Sequence, residues 1–289
     1  MNTAHSTLPR RSFFALLPAL LSACSGADLL NATVPGNTYR RTQALAYGAD
    51  PRQRLDVYQP LAGSRNAPMV VFFYGGSWSS GERGDYRFVG EALASRGIVT
   101  VVADYRLSPA FRYPVFVQDS ASALRWAFDH AAEYGAGADR IFVMGHSAGA
   151  YNAAMVALDA RWLAAVGLTP ARLAGWIGLA GPYDFLPIVD AKSRVAFNWP
   201  DTPADSQPLL HASKASPPAL LLAAENDSVV NPQRSTVALA QKLKASGVRV
   251  ESTLFEGVGH ITLLGSMAKA LESKAPVLER VTQFVQSAR

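Results

Sequence analysis

The stretch "IFVMGHSAGA", residues 141–150, joins two kinds of secondary structure at a single serine. Its first four residues are apolar, as in a buried β-strand, and the residues after it, "YNAAMVALDA", favour a helix. Ser147 lies between Gly145 and Gly149, and glycines here permit a sharp turn and close packing of the helix on the strand. Such a turn pushes the serine hydroxyl out of the sheet. The pattern therefore predicts that Ser147 is an accessible, reactive serine.

The rest of the chain predicts a parallel sheet flanked by helices. The stretches "PMVVFFYGG" and "GIVTVVADY" are continuous apolar runs rather than alternating ones, which is typical of strands covered on both faces. Residues 39–60 favour an antiparallel pair at one edge, and helical and strand patterns then alternate up to a final helix expected from about residue 262. This alternation predicts an α/β fold with a mostly parallel, eight-stranded sheet.

One interval interrupts that alternation. Residues 183–216 contain four prolines and four aromatic residues and show little periodicity. Structureless loops of this length are uncommon and usually functional. We therefore expect a small cap over about 183–217, inserted after the sixth strand, in preference to a plain long connection.

The composition allows a single large domain and excludes several function classes. Of the 289 residues 49% are hydrophobic, enough to bury one core, which we assign to residues 39–289. The net charge of +5 includes Arg10 and Arg11, and the remaining charge is too small and scattered for nucleic-acid binding. No run of 18 apolar residues occurs, so an internal membrane span is not expected.

The N-terminus has the pattern of an export signal over residues 1–23. The basic "LPRR" precedes "SFFALLPALLSA", an apolar run too short to cross a bilayer, and Cys24, the single cysteine, follows. "LSAC" resembles the lipobox of bacterial lipoproteins and "RRSFF" the twin-arginine signal core. This resemblance implies lipidation of Cys24 and a membrane-anchored domain facing the periplasm. Residues 24–38 are small and polar with one proline, which predicts a tether. An ordinary cleaved signal and a cytoplasmic chain with a ragged start remain as alternatives.

A serine hydroxyl is a weak nucleophile near neutral pH, so it needs a base and a third group that orients the base. In strand-turn-helix serine enzymes the acid and then the histidine follow the serine along the chain. Asp227 follows the apolar run "ALLLAA", and His260 is the only one of five histidines beyond it. We therefore predict Ser147, Asp227 and His260 as the catalytic residues.

Other residues remain candidates for the acid and the base. Glu225 and Asp184 are alternative acids, since Asp184 follows the sixth strand. His146, next to the serine, is expected to pack rather than react, and His260 could be a surface histidine in a glycine-containing loop.

The stretch "FFYGGSW", residues 72–78, predicts the donors that stabilise an oxyanion. Gly75 and Gly76 let the backbone approach a substrate, so the N–H groups of Gly76 and Ser77 can join that of Ala148. A simple glycine turn is the alternative. Six aromatic residues are candidates for an apolar pocket or for ordinary packing: Trp78, Tyr151 and Tyr183, which we take as substrate-binding residues, and Phe185, Phe197 and Trp199.

The motifs "YGGSW", "DYRLSP", "GHSAG", "ENDSVV" and "GVGH" occur in this order over residues 40–287. Together they resemble the α/β-hydrolase superfamily, in its esterase branch of hormone-sensitive-lipase-like carboxylesterases, bacterial feruloyl-esterase-like proteins and kynurenine formamidases. Those families usually have histidine where this chain has Tyr74. The first predicted strand also follows the tether directly, without the long N-terminal helical cap of the hormone-sensitive-lipase group.

The resemblance implies an α/β-hydrolase fold and hydrolysis of carboxylic esters, with short acyl groups expected, through an acyl-enzyme. Neither a metal nor an organic cofactor is implied, and the expected partner is a small-molecule ester. Arylformamidase activity is the alternative within enzymes, and a non-catalytic binding lipoprotein is the alternative outside them. Asp104 and Asp119 match family positions for which we expect structural roles.

Overall fold

A computed structural model describes residues 26–63 and 65–287. Within these ranges, eight strands form one sheet in the order β1-β2-β4-β3-β5-β6-β7-β8. Strand β2 runs antiparallel to β1 and β4, and the other neighbours are parallel, which confirms the predicted mostly parallel sheet. The strands are β1 Tyr39–Ala46, β2 Arg54–Pro60, β3 Ala67–Phe73, β4 Val99–Ala103, β5 Ala136–His146, β6 Gly175–Leu179, β7 Ala219–Ala224 and β8 Val250–Phe255.

Helices cover both faces of this sheet. Every residue of β3, β4, β6 and β7 is buried, as the continuous apolar runs in the sequence indicate. The α-helices are α1 Gly26–Ala32, α2 Arg87–Ala94, α3 Val115–His130, α4 Ala148–Leu158, α5 Ala160–Ala164, α6 Ala191–Ala196, α7 Ala238–Ala245, α8 His260–Gly265 and α9 Val277–Ser287. None of these helices is long and apolar enough to span a membrane.

The parallel register brings several loops to one edge of the sheet. Phe73 at the end of β3 is paired with Gly145 near the end of β5, and Ala224 is paired with Phe255 at the ends of β7 and β8. The loops that follow these strands therefore lie at the same, carboxyl edge, where α/β folds hold their ligands.

Two expectations about the ends of the chain need correction. The predicted tether contains helix α1, in which the Asn31 side chain donates to the carbonyl of Gly84 at 2.9 Å and accepts from the N–H of Phe88 at 3.1 Å. Residues 26–32 are thus docked on the domain. The single final helix is instead two helices, α8 and α9, separated by residues 266–276, which include the 3₁₀ segment Lys269–Lys274. Pro276 directly precedes α9 and lacks the N–H that would continue a helix from that segment. The predicted signal and Cys24 lie outside the described residues.

The insertion after β6 is a folded cap. It contains α6 and two 3₁₀ turns, Ala204–Ser206 and Pro208–His211, between β6 and β7. The insertion spans residues 180–218, where the sequence predicted a cap over about 183–217.

Candidate active site

Ser147 occupies a strained turn between β5 and α4, with φ of 53°. Glycines flank it because nothing larger fits: a Cβ on Gly145 would lie 2.1 Å from the carbonyl oxygen of Gly149, and a Cβ on Gly149 would lie 2.0 Å from that of Phe73. The two glycines thus allow α4 to pack directly on the ends of β3 and β5. This packing projects the Ser147 side chain beyond the edge of the sheet.

The structure brings the three predicted catalytic side chains together. The Oγ of Ser147 lies 2.8 Å from Nε2 of His260, and Nδ1 of His260 lies 2.7 Å from Oδ2 of Asp227. A carboxylate can only accept, so Nδ1 carries the proton and Nε2 is free to accept from the serine. The side chain of His260 is 5% exposed and that of Asp227 is fully buried, so water competes little with these contacts.

Backbone groups hold Asp227 as an anion. Its Oδ1 accepts from the N–H groups of Val229 at 2.8 Å and Val230 at 2.9 Å. Burial raises the pKa of the Asp227 carboxyl, but the hydrogen bonds from His260 and from these two N–H groups outweigh burial and lower it overall. The alternative acids are elsewhere: Asp184 pairs with Arg234 at 2.9 Å, and Glu225 is exposed.

His146 does more than pack. Its Nε2 lies 2.9 Å from the carbonyl oxygen of His260 and therefore donates to it, and the two rings are 4.9 Å apart. Its Nδ1 faces Gly75, where a Cβ would lie only 3.2 Å away. Burial, followed by the neighbouring His260, lowers the pKa of His146 to about 3. A neutral His146 thus connects the serine turn, the histidine loop and the glycine loop.

The predicted oxyanion donors lie at the same place. Ser77 and Ala148 line the cavity in front of Ser147, and Ala148 is the first residue of α4, where backbone N–H groups have no acceptor within the helix. Gly76 has φ of 129°, and a Cβ there would lie 2.3 Å from the carbonyl oxygen of Ser80. Only glycine allows this close turn.

A cavity of ≈ 350 Å³ opens in front of Ser147. The cap forms one wall, and the segment that follows Asp227 forms another. The lining residues are Ser77, Trp78, Ser147, Ala148, Pro182, Phe185, Ile188, Val189, Asp190, Ser193, Ser228, Val229 and Val230. The sequence predicted Ser147, Ser77, Ala148, Trp78 and Phe185 as site or pocket candidates. It did not identify the other lining residues, although the apolar pair "VV" directly after "NDS" was a signal for two of them.

Two of the three predicted substrate-binding residues belong to the core instead. Tyr151 is fully buried, and its hydroxyl donates to the carbonyl of Ser206 in the cap at 2.7 Å. Tyr183 is also fully buried and packs edge-on against Trp176. Neither lines the cavity, because their rings fill the space between the cap and the sheet. Trp78 does line it, with its Nε1 donating to Asn152 at 3.0 Å.

The family model named BD-FAE matches residues 55–243, more than half of the chain. Among curated proteins, the probable isoprenylcysteine alpha-carbonyl methylesterase ICMEL1 of Arabidopsis thaliana is 28% identical over 76% of this chain and 51% of its own length. Esterase LipC of Mycobacterium tuberculosis is 28% identical over 77% of this chain and 60% of its own length. The chain thus spans roughly half the length of these curated relatives.

Solved structures share the fold. A truncated carbohydrate esterase from gut microbiota has a TM-score of 0.75 at 18% identity and covers 88% of this chain and 98% of its own. EstE1, a thermostable carboxylesterase from a metagenomic library, has a TM-score of 0.72 at 24% identity and covers 91% of this chain and 94% of its own.

Within residues 26–63 and 65–287, no group of three or more histidine, cysteine or acidic side chains is placed to hold a metal ion.

Proposed function

The chain belongs to the BD-FAE family, and we propose that it is a serine hydrolase that cleaves carboxylic esters through an acyl-enzyme. One observation carries the proposal: the contacts of 2.8 Å from Ser147 to His260 and 2.7 Å from His260 to Asp227 connect a nucleophile, a base and an orienting acid. Two similar proteins of Mycobacterium tuberculosis, the esterase LipC and the probable carboxylic ester hydrolase LipM, support the substrate class.

The first half of the reaction forms the acyl-enzyme. As Ser147 Oγ attacks the ester carbonyl, its proton passes to Nε2 of His260, and Asp227 stabilises the resulting imidazolium. When the tetrahedral intermediate collapses, the bond to the alcohol oxygen breaks and Nε2 returns the proton to that oxygen. Water then attacks the acyl-enzyme in the same way, and the acid and Ser147 are released.

Backbone donors stabilise the negative oxygen of the intermediate. The N–H groups of Gly76, Ser77 and Ala148 are the donors that we assign to it, and each such donor is worth about 3–4 kcal/mol of the barrier. These groups belong to backbone at the carboxyl edge of the sheet, directly after β3 and at the start of α4.

We propose that the acyl group is short. The cavity volume of ≈ 350 Å³ is near the lower end for small-molecule sites. Phe185 and Ile188 of the cap close it on one side, and Trp78 closes it on another.

The export signal and a lipid anchor on Cys24 are also part of the proposal, on the grounds of the "LSAC" and "RRSFF" patterns. An anchored enzyme would act on esters at the outer face of a bacterial inner membrane or in the periplasm.

Replacement of the nucleophile tests the proposal. Ser147→Ala should lose ester hydrolysis by about a millionfold and should lose labelling by a fluorophosphonate probe, with the fold retained by circular dichroism. Ser246→Ala, at the exposed end of α7, is the matched control and should behave as the wild type. Labelling that persists in Ser147→Ala, or a wild type that cleaves N-formyl aryl amines but no ester, would contradict the proposal.

A further inference from the structure

The loop that carries the oxyanion donors is strained. Gly76, Ser77 and Trp78 have φ of 129°, 49° and 55°, so two consecutive non-glycine residues lie in the left-handed region. Such residues each cost on the order of 1 kcal/mol and persist only where the surroundings hold them. Since the N–H groups of Gly76 and Ser77 are proposed to contact the intermediate, whatever holds this loop also determines the geometry of those donors.

The side chain of Tyr74 lies at the start of the loop, at the position where the resembled families usually have histidine. Its hydroxyl donates to Oδ1 of Asp104 at 2.7 Å and accepts from Nη2 of Arg52 at 2.8 Å. Its ring stacks between Tyr86, at 5.1 Å, and Tyr105, at 4.9 Å. Both the hydroxyl and the ring of Tyr74 are thus held in place.

The same two partners also hold the far end of the loop. Nη2 of Arg52 donates to the carbonyl of Gly81 at 2.8 Å, and Oδ1 of Asp104 accepts from the N–H of Arg83 at 2.7 Å. The ring of Tyr74 packs directly on Gly81, where a Cβ would lie 2.8 Å from it. Both ends of residues 74–83 are therefore attached to one cluster.

Burial and a neighbouring charge keep the Tyr74 hydroxyl protonated. Asp104 is 3% exposed and also pairs with the guanidinium of Arg83. Burial, followed by the charge of Asp104, raises the pKa of the Tyr74 hydroxyl well above its ordinary value. The hydroxyl consequently remains a hydrogen-bond donor throughout the neutral and mildly alkaline range.

We propose that Tyr74 is a positioning residue that, with Arg52 and Asp104, clamps the loop and aims the N–H groups of Gly76 and Ser77 at the oxyanion. We call these three residues the phenol clamp. The inference rests on the proposed ester hydrolysis and adds a second requirement to it, namely that the phenol clamp is needed for transition-state stabilisation and not for binding the ester.

Tyr74→Phe tests the phenol clamp because it removes the hydroxyl and leaves the ring stacks. We expect kcat on p-nitrophenyl butyrate to fall by about 10- to 100-fold, as for a donor misplaced by a fraction of an ångström, with KM changed less than about threefold. The decisive measurement is the ratio of kcat/KM for an ester to that for the matching thionoester. Sulfur is larger and a weaker acceptor than oxygen, so this ratio is large in an aligned oxyanion hole and should fall in Tyr74→Phe.

Two further variants separate the phenol clamp from a general loss of stability. Arg52 donates to Tyr74 and Gly81 through Nη2 and, through Nε, to the carbonyl of Tyr105 at 3.0 Å. Lysine has a single nitrogen and cannot donate from both positions, so Arg52→Lys should lower the ratio too. Tyr58→Phe removes the hydroxyl of another buried tyrosine, one with no hydrogen-bond partner in the described part of the chain, and should change neither kcat nor the ratio.

The outcomes distinguish the inference from the proposed function. A wild type without esterase activity overturns the proposed function. An active wild type whose Tyr74→Phe variant retains kcat, or loses kcat on the ester and the thionoester equally, overturns the phenol clamp alone.

Discussion

The carboxylate of Asp227 receives hydrogen bonds from the His260 side chain and from two backbone N–H groups. The N–H groups of Val229 and Val230 hold Oδ1 in place, so Oδ2 is directed at Nδ1 of His260. Because these contacts lower the pKa of Asp227, the carboxylate stays ionised when the pH falls into the range where an ordinary aspartate takes up a proton.

Asp227→Asn should lower kcat by about 10⁴-fold. An amide can donate to Nδ1 of His260, which favours the tautomer with its proton on Nε2, and this tautomer cannot accept from Ser147. Steady-state kinetics on p-nitrophenyl butyrate provide the measurement. Asp184→Asn, which removes an ion pair with Arg234, is the comparison and should be nearly as active as the wild type. If Asp184→Asn is the inactive variant, the acid has been assigned to the wrong strand.

His146 makes stability depend on pH. In the folded chain its pKa is lowered to about 3, whereas in the unfolded chain it should be near the ordinary 6.5. Between these values the unfolded chain binds a proton that the folded chain does not, so stability falls as the pH falls below 6.5. At pH 5 the loss from this one group is about 2 kcal/mol.

His146→Gln should remove that dependence, because an amide can still donate to the carbonyl of His260 but does not titrate. Urea unfolding at pH 8 and pH 5 checks this expectation. The difference in unfolding free energy between variant and wild type should shift by about 2 kcal/mol in favour of the variant on going to pH 5. If the unfolding free energy changes by the same amount in both proteins between pH 8 and pH 5, the folded wild type accepts a proton on His146 as readily as the unfolded chain does.

At the scale of elements, we expect the cap to limit the size of the acyl group that the cavity accepts. Ile188, 2% exposed, and Phe185 reach the cavity from the segment before α6. Binding improves by about 0.8 kcal/mol for each buried CH₂ only until the acyl chain outgrows these walls. The dependence of the rate on the length of the acyl chain therefore measures how much room the cap leaves in the cavity.

On p-nitrophenyl esters, kcat/KM should peak between acetyl and hexanoyl and decline beyond. Ile188→Ala should move the peak to longer chains by enlarging the cavity, and Leu210→Ala, in the cap but 56% exposed and outside the cavity lining, should not. A wild-type maximum at decanoyl or longer, or a jump in rate on emulsified triglyceride, would indicate a lipase with a deeper channel.

For the molecule as a whole, residues 26–32 are docked on the domain and do not form a free spacer. Asn31 of α1 contacts Gly84 and Phe88, next to the segment that the phenol clamp holds. Helix α1 begins at Gly26, two residues after Cys24. A lipid on Cys24 would thus hold this domain close to the membrane surface.

Radiolabelled palmitate should enter the wild type and not Cys24→Ser when both are expressed in a bacterial host. The wild type should sediment with membranes, since a diacyl anchor binds a bilayer stably where a single chain binds only marginally. Cys24→Ser should stay active once released, because its site residues are unchanged. A wild type recovered wholly soluble with an unmodified N-terminus would contradict the proposed anchor.

The alternation of strands and helices, and the residues at the strand ends, could be predicted from the sequence alone. Both features depend on local properties. An apolar run forms a buried strand, and the turn at Ser147 tolerates only glycine at positions 145 and 149. Because parallel strands share a carboxyl edge, Ser147, Asp227 and His260 were expected near one another, and the structure brings them within hydrogen-bond distance.

Which side chains face the cavity, and which hold the loops, depends on how distant parts of the chain pack together. Tyr151 and Tyr183 are as aromatic as Trp78 in the sequence, yet their rings fill the core, because exposure depends on how the cap packs across the sheet. The contacts of Tyr74 with Arg52 and Asp104 join residues 22 and 30 positions apart. No local pattern specifies such partners, because they meet only when the ends of separate strands are brought to one edge.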